Sequence, residues 1–500
     1  MYGDTAQFGS VLQLAVFVAL LSLVAALTWW KVRSAKHDGS EKDVFLAGKG
    51  LSWIFVAGAI TLTNLSTDQL VGMNGNQMLL LAWWEIAGFV GLMALAFVFV
   101  PLYYRYNCTT VTELLERRYD GRSIRTLISA IFIAGNLLIY LPAALYSGGL
   151  FLQSLFGAAI PLIVFSIGLA LISAAYTVFG GLRAVAVMDT FSGIGILALA
   201  LLIVFLALAA VDFDIVTDVP AERLSMVGAA DSPIPFHTLF TGMAFIQIFY
   251  WSTNQNITQK AMAAPTVKEA QKGVFAAAAV RILVVPPIVV IPGVVAFKLF
   301  GDVGDAAYGR LVAEVLPTWL SGAFAAMVAA AVITTFSAVL NSTVALYSVD
   351  FHEQFVGEVK NHWKLGAVMS VVATITAIAL VPMYQNAESI INLLQQLNGL
   401  SSMPILSAFI VGLLFRDIAA RSAIAGVVCG IALYAAYTFI EGFSAAVGLH
   451  YIDFMVVTLA ASILSALLFN RFVLGRRAKW IGLELFRGKG PITGHGENAA

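Results

Sequence analysis

Charge is what this chain has least of: Asp, Glu, Lys and Arg make up 11% of its 500 residues, against 60% hydrophobic side chains. A soluble domain carries about a quarter charged residues, so an ordinary water-facing surface is excluded. Cysteine is nearly absent too. Cys108 falls in a loop and Cys429 in an apolar helix, which argues against a disulfide framework and against a reactive or metal-binding thiol. There is no HExxH pair and no Asp-rich diphosphate motif. The histidines, His37, His237, His352, His362, His450 and His495, fall at loops or at the ends of apolar runs. An intramembrane enzyme would want a metal or paired-carboxylate motif on a helix, so no enzyme is expected. No receiver or kinase domain, which would make the chain a sensor, is expected.

What the chain has instead is apolar runs of roughly 20 residues, each enough to cross about 30 Å of hydrocarbon as a helix. They leave no room for a soluble domain, and one all-α membrane domain is expected over 1–500. The first run lacks a basic leader and a small-residue cleavage site, and is expected to be a retained helix. Punctuating the chain at polar and Gly/Pro-rich breaks gives spans near 8–30, 52–79, 82–104, 123–155, 158–179, 184–211, 236–258, 270–299, 316–349, 363–382, 388–415, 420–440 and 450–473. Thirteen is odd, so the termini should lie on opposite sides. Lys and Arg alternate accordingly. They cluster at Lys31–Lys49, Arg105–Arg125, Arg183, Lys260–Lys272, Lys360–Lys364, Arg416–Arg421 and Arg471–Lys489, whereas the loop at 212–235 is acidic. The positive-inside rule then puts the N-terminus outside and the C-terminus, with its 476–500 tail, in the cytoplasm.

Polar groups at membrane depth cost a few kcal/mol each and need a reason. Asp68, Glu85, Asp189 and Arg281 all fall within or at the start of apolar runs. An interhelical hydrogen bond or a snorkelling side chain accounts for any one of them alone. As a set they point to a solute or ion pathway. Two spans are interrupted in a related way, by TNLSTDQ from residue 63 and by WSTNQNITQ at 251–259. Paired interruptions at corresponding places in two halves are the mark of an inverted-repeat secondary transporter, whose broken helices offer backbone groups to an ion and a solute. A third patch, ITTFSAVLNST at 333–343, stacks Thr334, Thr335 and Ser337. Hydroxyls are hard donors suited to Na⁺, although in membrane helices they also bond back to the preceding turn. A fourth, LLQQLNGLSS at 393–402, offers Gln395, Gln396 and Asn398, amides of the kind a polyhydroxyl solute needs.

Several blocks resemble the sodium/solute symporters and, within them, the bacterial sodium/galactose (sodium/glucose) cotransporters. They are FLAGKGLSW at 45–53, NLSTDQLVGMNG at 64–75, TVTELLERRYD at 110–120, GGLRAVAVMD at 180–189, YWSTNQNITQKAMAA at 250–264 and LNST at 340–343. The resemblance implies a leucine-transporter-type core of two inverted five-helix repeats with broken helices, at 52–211 and 236–415. A peripheral helix at 8–30 precedes them and two more at 420–473 follow. It implies Na⁺-coupled symport of a galactose- or glucose-like sugar by alternating access across a bacterial inner membrane, with a sugar acid or another small organic solute as the alternative. The expected partners are the sugar, Na⁺ and the lipid bilayer, with no nucleic acid, for a monomer or weak homo-oligomer.

Carried over by position, the resemblance makes Gln69, Glu85, Asn254 and Gln395 the solute-binding residues. Arg281 is the nearest counterpart of a substrate-site lysine, about one residue out of register. An Arg there would also suit an anionic sugar acid, gripped at two points. The shared sodium site maps to the carbonyls of Leu62, Leu65 and Ala331 and the hydroxyls of Thr334 and Thr335, where sugar relatives have paired serines. Asp189 matches an acidic residue near the sodium path that supports a second cation in some members. One Na⁺ or two are both compatible with this set. Met73 and Trp84 are candidates for an outer lid, and Asn256 stands where relatives have an inner gate aromatic. Asp68 has no role beyond a helix or lid hydrogen bond.

Overall fold

The computed structural model describes residues 3–32, 45–65, 67–156, 160–229, 231–386 and 389–482. Arg33, Lys36, Lys42, Arg487 and Lys489, counted above among the cytoplasmic basic residues, lie outside them, as do His37, His495 and most of the 476–500 tail.

The described residues form a bundle of long apolar helices. Ten are long and apolar enough to cross a membrane. Of these, α1 covers Gly3–Val32. The first interruption splits the next span into α2 (Trp53–Asn64) and α3 (Thr67–Gly75). Then come α4 (Leu79–Arg105), a short α5 (Val111–Tyr119), α6 (Arg122–Phe156), α7 (Leu162–Val178) and α8 (Gly181–Ala210). Gly181 separates α7 from α8 with φ 55° and ψ −161°, a conformation essentially reserved for glycine. The second interruption lies between α9 (Gly242–Ile248) and α10 (Gln255–Met262). After it come α11 (Val267–Phe300), α12 (Ala307–Val315), α13 (Thr318–Phe355), α14 (His362–Gln385), α15 (Ile390–Leu414), α16 (Ala420–Phe439) and α17 (Tyr451–Val473).

Burial follows position in the bundle. The apolar stretch of α13 is buried throughout, while that of α1 is mostly exposed to the surroundings. α13 is therefore the central post: α7 with α8, α1 and α6 pack along it, and α2 touches it as well. α16 and α17 pair with each other and with α15 at the periphery. After α15 the chain turns through a two-residue strand, Phe415–Arg416, which pairs antiparallel with Lys479–Trp480. The Trp480 ring meets Phe415 edge-on at 4.9 Å.

Two span boundaries differ from expectation in ways that matter. The span expected at 236–258 continues as helix to Met262, because the chain restarts after its break with Asn254 as N-cap. Lys260 is thereby drawn from a loop into the packed interior. The span expected at 316–349 runs on through a π-turn at Leu346–His352, which brings Asp350 inside.

Candidate functional site

The polar interruptions become breaks for identifiable reasons. At the end of α2, Leu65 leaves helical geometry (φ −77°, ψ 62°) while its N–H still closes on Thr61 O at 2.9 Å. The last-turn carbonyls then have no further helix to receive. At the second break, Asn254 is extended (φ −85°, ψ 122°) and its side-chain oxygen accepts from Asn256 N at 2.9 Å. Capping by an amide is what lets the chain resume as helix inside the bundle without an orphaned donor.

Both breaks open onto one cavity of about 80 Å³. Gln69, Trp84, Asn254, Asn256, Arg281 and Gln395, all expected at the site, line it, and so does Thr335. Asp68, the residue without an assigned role, also lines it, from the first turn of α3 where the helix dipole favours a carboxylate.

One wall is a charged cluster. Gln69 Nε2 donates to Glu85 Oε1 at 2.8 Å, and the Arg281 guanidinium forms an ion pair with the other Glu85 oxygen. Arg281 also lies 4.7 Å over the ring of Trp251, a cation–π contact strengthened by burial. With the Asn64 amide turned so that its oxygen faces these donors, it accepts from Arg281 Nη1 and Gln69 Nε2, both at 2.8 Å, and donates to Tyr250 Oη at 2.6 Å. Trp251 is held in turn by Gln247, which accepts its indole N–H at 2.9 Å and donates to Trp84 O at 2.9 Å. Glu85 itself is buried and not among the cavity-lining residues. It touches the cavity wall through Gln69 and Arg281.

On the opposite side Tyr140 donates to Asn398 Oδ1, and Asn398 Nδ2 donates to Gln395 at 3.3 Å. Towards α10, Asn256 donates to Asn136 Oδ1 at 3.0 Å, and Asn136 donates to Thr343 at 3.0 Å. Where relatives were expected to carry an aromatic gate, this chain has an amide pair. Met73 departs from its expected role: it is fully buried in the apolar core and is not among the lining residues. Trp84 does line the cavity.

Of the expected ion ligands only Thr335 lines the cavity. Leu62 and Leu65 are buried at the end of α2, and the small Gly193 on α8 admits Leu62, since a Cβ there would stand 2.6 Å from its side chain. Thr334 Oγ1 donates back to Ala331 O at 3.1 Å. Thr335 Oγ1 is buried without a hydrogen-bond partner. An orphaned hydroxyl in a protein interior costs about 1–3 kcal/mol, and a cation beside it removes that cost. Asp189 is fully buried, accepts from Thr63 Oγ1 at 3.4 Å and forms an ion pair with Lys260 at 3.4 Å.

Sequence reasoning missed Asn64, Tyr140, Gln247, Tyr250, Trp251 and Lys260. Tyr and Trp are common in apolar spans, so nothing distinguishes a site aromatic there. Asn64, Tyr250, Trp251 and Lys260 nevertheless sat inside motifs already singled out.

A bundle of apolar helices, two of them broken at a shared polar cavity, is the architecture of a secondary transporter. The solved structure of a Na⁺-coupled sialic acid symporter in a substrate-bound outward-open state superimposes with a TM-score of 0.79 at 17% identity, covering 94% of this chain and 99% of that one. That of Mhp1, a nucleobase-cation-symport-1 family transporter, gives 0.55 at 17% identity, covering 86% and 94%. The fold is thus of the leucine-transporter type. The profile of the sodium:solute symporter family matches residues 44–430, and the chain belongs to that family. It is 36% identical to the uncharacterised symporter YidK of Escherichia coli (strain K12), over 86% of this chain and 79% of that protein. To the sodium/glucose cotransporter of Vibrio parahaemolyticus it is 28% identical, over 84% of each. The chain is a multi-pass membrane protein and a Na⁺-coupled solute symporter.

Proposed function

We propose that the chain imports a neutral, galactose- or glucose-like sugar with Na⁺ by alternating access across a bacterial inner membrane, its N-terminus outside and its C-terminus in the cytoplasm. In this reading 52–211 and 236–415 are the two inverted repeats. The observation that carries the choice of solute is the Arg281–Glu85 ion pair. A guanidinium whose charge is already matched, beside a cavity that also holds the Asp68 carboxylate, offers an anionic sugar acid no net attraction. The amides of Gln69, Asn254 and Gln395 and the hydroxyls of Tyr140 and Tyr250 suit sugar hydroxyls, and the face of Trp251 is already taken by Arg281. The names of the sodium/glucose cotransporter and of the sodium/myo-inositol cotransporter 2 of Rattus norvegicus, 25% identical over 84% of this chain, agree with a polyhydroxyl solute.

Na⁺ in this scheme joins the Leu62 and Leu65 carbonyls to Ala331, Thr334 and Thr335, fixing the end of α2 against the central post α13. That bond organises Gln69 for the solute and favours the state open to the sodium-rich side. One charge falling through about 100 mV contributes roughly 2.3 kcal/mol, and a tenfold gradient about 1.4. Together these support roughly 500-fold accumulation of a neutral solute.

The test is uptake into proteoliposomes with Na⁺ or choline outside, competed by neutral sugars and by their uronic acids. Neutral sugars should compete and acids should not. Removing both hydroxyls with Thr334→Ala and Thr335→Ala should raise the Na⁺ concentration for half-maximal uptake at least tenfold, about 1.4 kcal/mol of ion binding. Unchanged Na⁺ dependence would sink the ion site, and acid-selective competition would sink the solute.

A further inference from the structure

Lys260 stands two turns beyond the second break, on α10, and is fully buried. Its ammonium donates to the carbonyl of Ala59 on α2 at 3.1 Å and to Asp189 Oδ2 on α8 at 3.4 Å. The same Asp189 oxygen accepts from Thr63 on α2 at 3.4 Å. Asp189 Oδ1 is buried without a hydrogen-bond partner, and Thr334 on α13, near the carboxylate, gives its hydroxyl to Ala331 O. A carboxylate, a backbone carbonyl and hydroxyls, all away from water, are the donor set a hard monovalent cation takes. Here the chain supplies the cation itself.

The alternative occupant would be a transported ion. A buried carboxylate needs a positive partner, since an unpaired charge at this depth costs several kcal/mol. Lys260 meets that need without taking an ion from solution. It also has no room to leave: it sits on a packed helix immediately after the break, with Asp189 as the one carboxylate it pairs with among the described residues. A sodium ion at Asp189 would have to displace it or stand beside it, placing two cations on one carboxylate.

We propose that Lys260 is a tethered cation that fills the Asp189 site, so that this chain binds and carries one Na⁺ per cycle, at the Thr334/Thr335 site, and Asp189 holds no second one. The pair also has a mechanical part. Ala59 and Thr63 bracket the turn of α2 that presents the Leu62 carbonyl. Lys260 and Asp189 therefore fasten that turn to α8 and α10 in every cycle, whether or not sodium is bound.

The inference rests on the ion-site reading above, and the experiment separates the two. Radioactive Na⁺ binding to the purified full-length protein, without solute, should give one ion per chain with a Hill coefficient of about 1. Asp189→Asn should leave that count at one. Lys260→Met removes the charge and keeps the stem, and should raise the count to two. Lys260→Met with Asp189→Asn should return it to one, and Lys260→Arg should keep it at one. Two ions on the unaltered protein, loss of the single ion in Asp189→Asn, or a Lys260→Met protein that folds and still binds one would each overturn the proposal. If the Lys260→Met protein does not fold, the unaltered protein and Asp189→Asn still decide. Failure of the ion-site reading looks different: Thr334→Ala with Thr335→Ala would then bind one Na⁺ as before.

Discussion

Arg125 on α6 donates Nε to Asp350 Oδ1 at 2.6 Å, where Asp350 lies in the π-turn of the last part of the central helix α13. Asp350 also accepts from Thr112 at 2.5 Å, from Thr110 at 3.2 Å and from Ser129. These bonds fix α5, the helix of the TVTELLERRYD block, to the helix that carries Thr334 and Thr335. The same short helix reaches the solute side. Its Val111 N–H donates to Gln255, the residue after the second break, at 2.8 Å. Its Tyr119 donates to Ala408 O of α15 at 2.7 Å, and Arg118 donates to the carbonyls of Gly412 and Phe415. α5 thus fastens together three elements that bear the proposed ion and solute residues.

Arg125→Ala should therefore be among the most damaging substitutions away from the cavity. It leaves the fully buried Asp350 without its cation, and losing one partner of a buried pair costs roughly 3–5 kcal/mol. Asp350→Asn with Arg125→Ala should recover part of that loss, because the fully buried position no longer carries a charge, while Glu113 and Glu116, which also pair with Arg125, are partly exposed. Thermal unfolding in detergent measures both. Equal midpoints for Arg125→Ala and the unaltered protein would show that the pair contributes nothing.

Glu85→Gln should change what the cavity prefers. The amide still meets Gln69 but no longer neutralises Arg281, whose freed charge can then grip a carboxylate at two points. Uptake of a neutral sugar should weaken at least tenfold in half-saturating concentration, about 1.4 kcal/mol, and the matching uronic acid should begin to compete. Competition measured side by side on both proteins checks this, and an unaltered preference would mean that Glu85 does not set the charge of the site.

Gln69→Ala and Asn254→Ala should raise the half-saturating solute concentration while leaving Na⁺ dependence nearly as it was. A lost hydrogen bond to a neutral group is worth about 0.5–1.5 kcal/mol, so the shift should be roughly two- to tenfold. Asn254 should show the larger loss, because its side chain also caps α10 through Asn256 N, a cap worth about 1 kcal/mol. Kinetics over a matrix of solute and Na⁺ concentrations separates the two effects.

The two breaks were legible in the sequence because polar residues of low helix propensity inside apolar runs have few structural uses. Gln69, Asn254, Gln395 and Thr335 lie in the polar patches that stand out in the sequence, the family resemblance singled them out within those patches, and the structure brings them to one cavity. What stayed hidden depends on three-dimensional pairing. Lys260 reads as one more basic residue in a loop, since hydropathy does not reveal that the chain restarts as helix at Gln255 and is buried to Met262. Glu85 and Arg281 each look like a ligand until their mutual ion pair is seen. Met73 has the right position along α3 for a lid, but the pitch of the helix turns it into the core.

Asp305 predicts a pH dependence of stability. It lies in the loop between α11 and α12, where Oδ2 accepts from the N–H of Ile390, the first residue of α15, at 3.0 Å. Its other oxygen is buried without a partner. Across from it is Gly75, where even a Cβ would stand 2.5 Å from that oxygen, so position 75 has no room for a side chain that could satisfy it. Burial raises the carboxyl from 3.8 to about 6, with the Ile390 N–H opposing the rise. The folded protein thus holds a proton that the unfolded chain releases. Its stabilising contribution is complete below 3.8 and is lost as pH rises through about 6, since stability falls wherever the native state binds more protons. Asp305→Asn keeps an oxygen for Ile390 and carries no charge at any pH. Its unfolding midpoint should exceed that of the unaltered protein above about pH 6, and the advantage should disappear on acidification towards about pH 4. A difference between the two proteins that stays constant over that range would assign the pH dependence to another group.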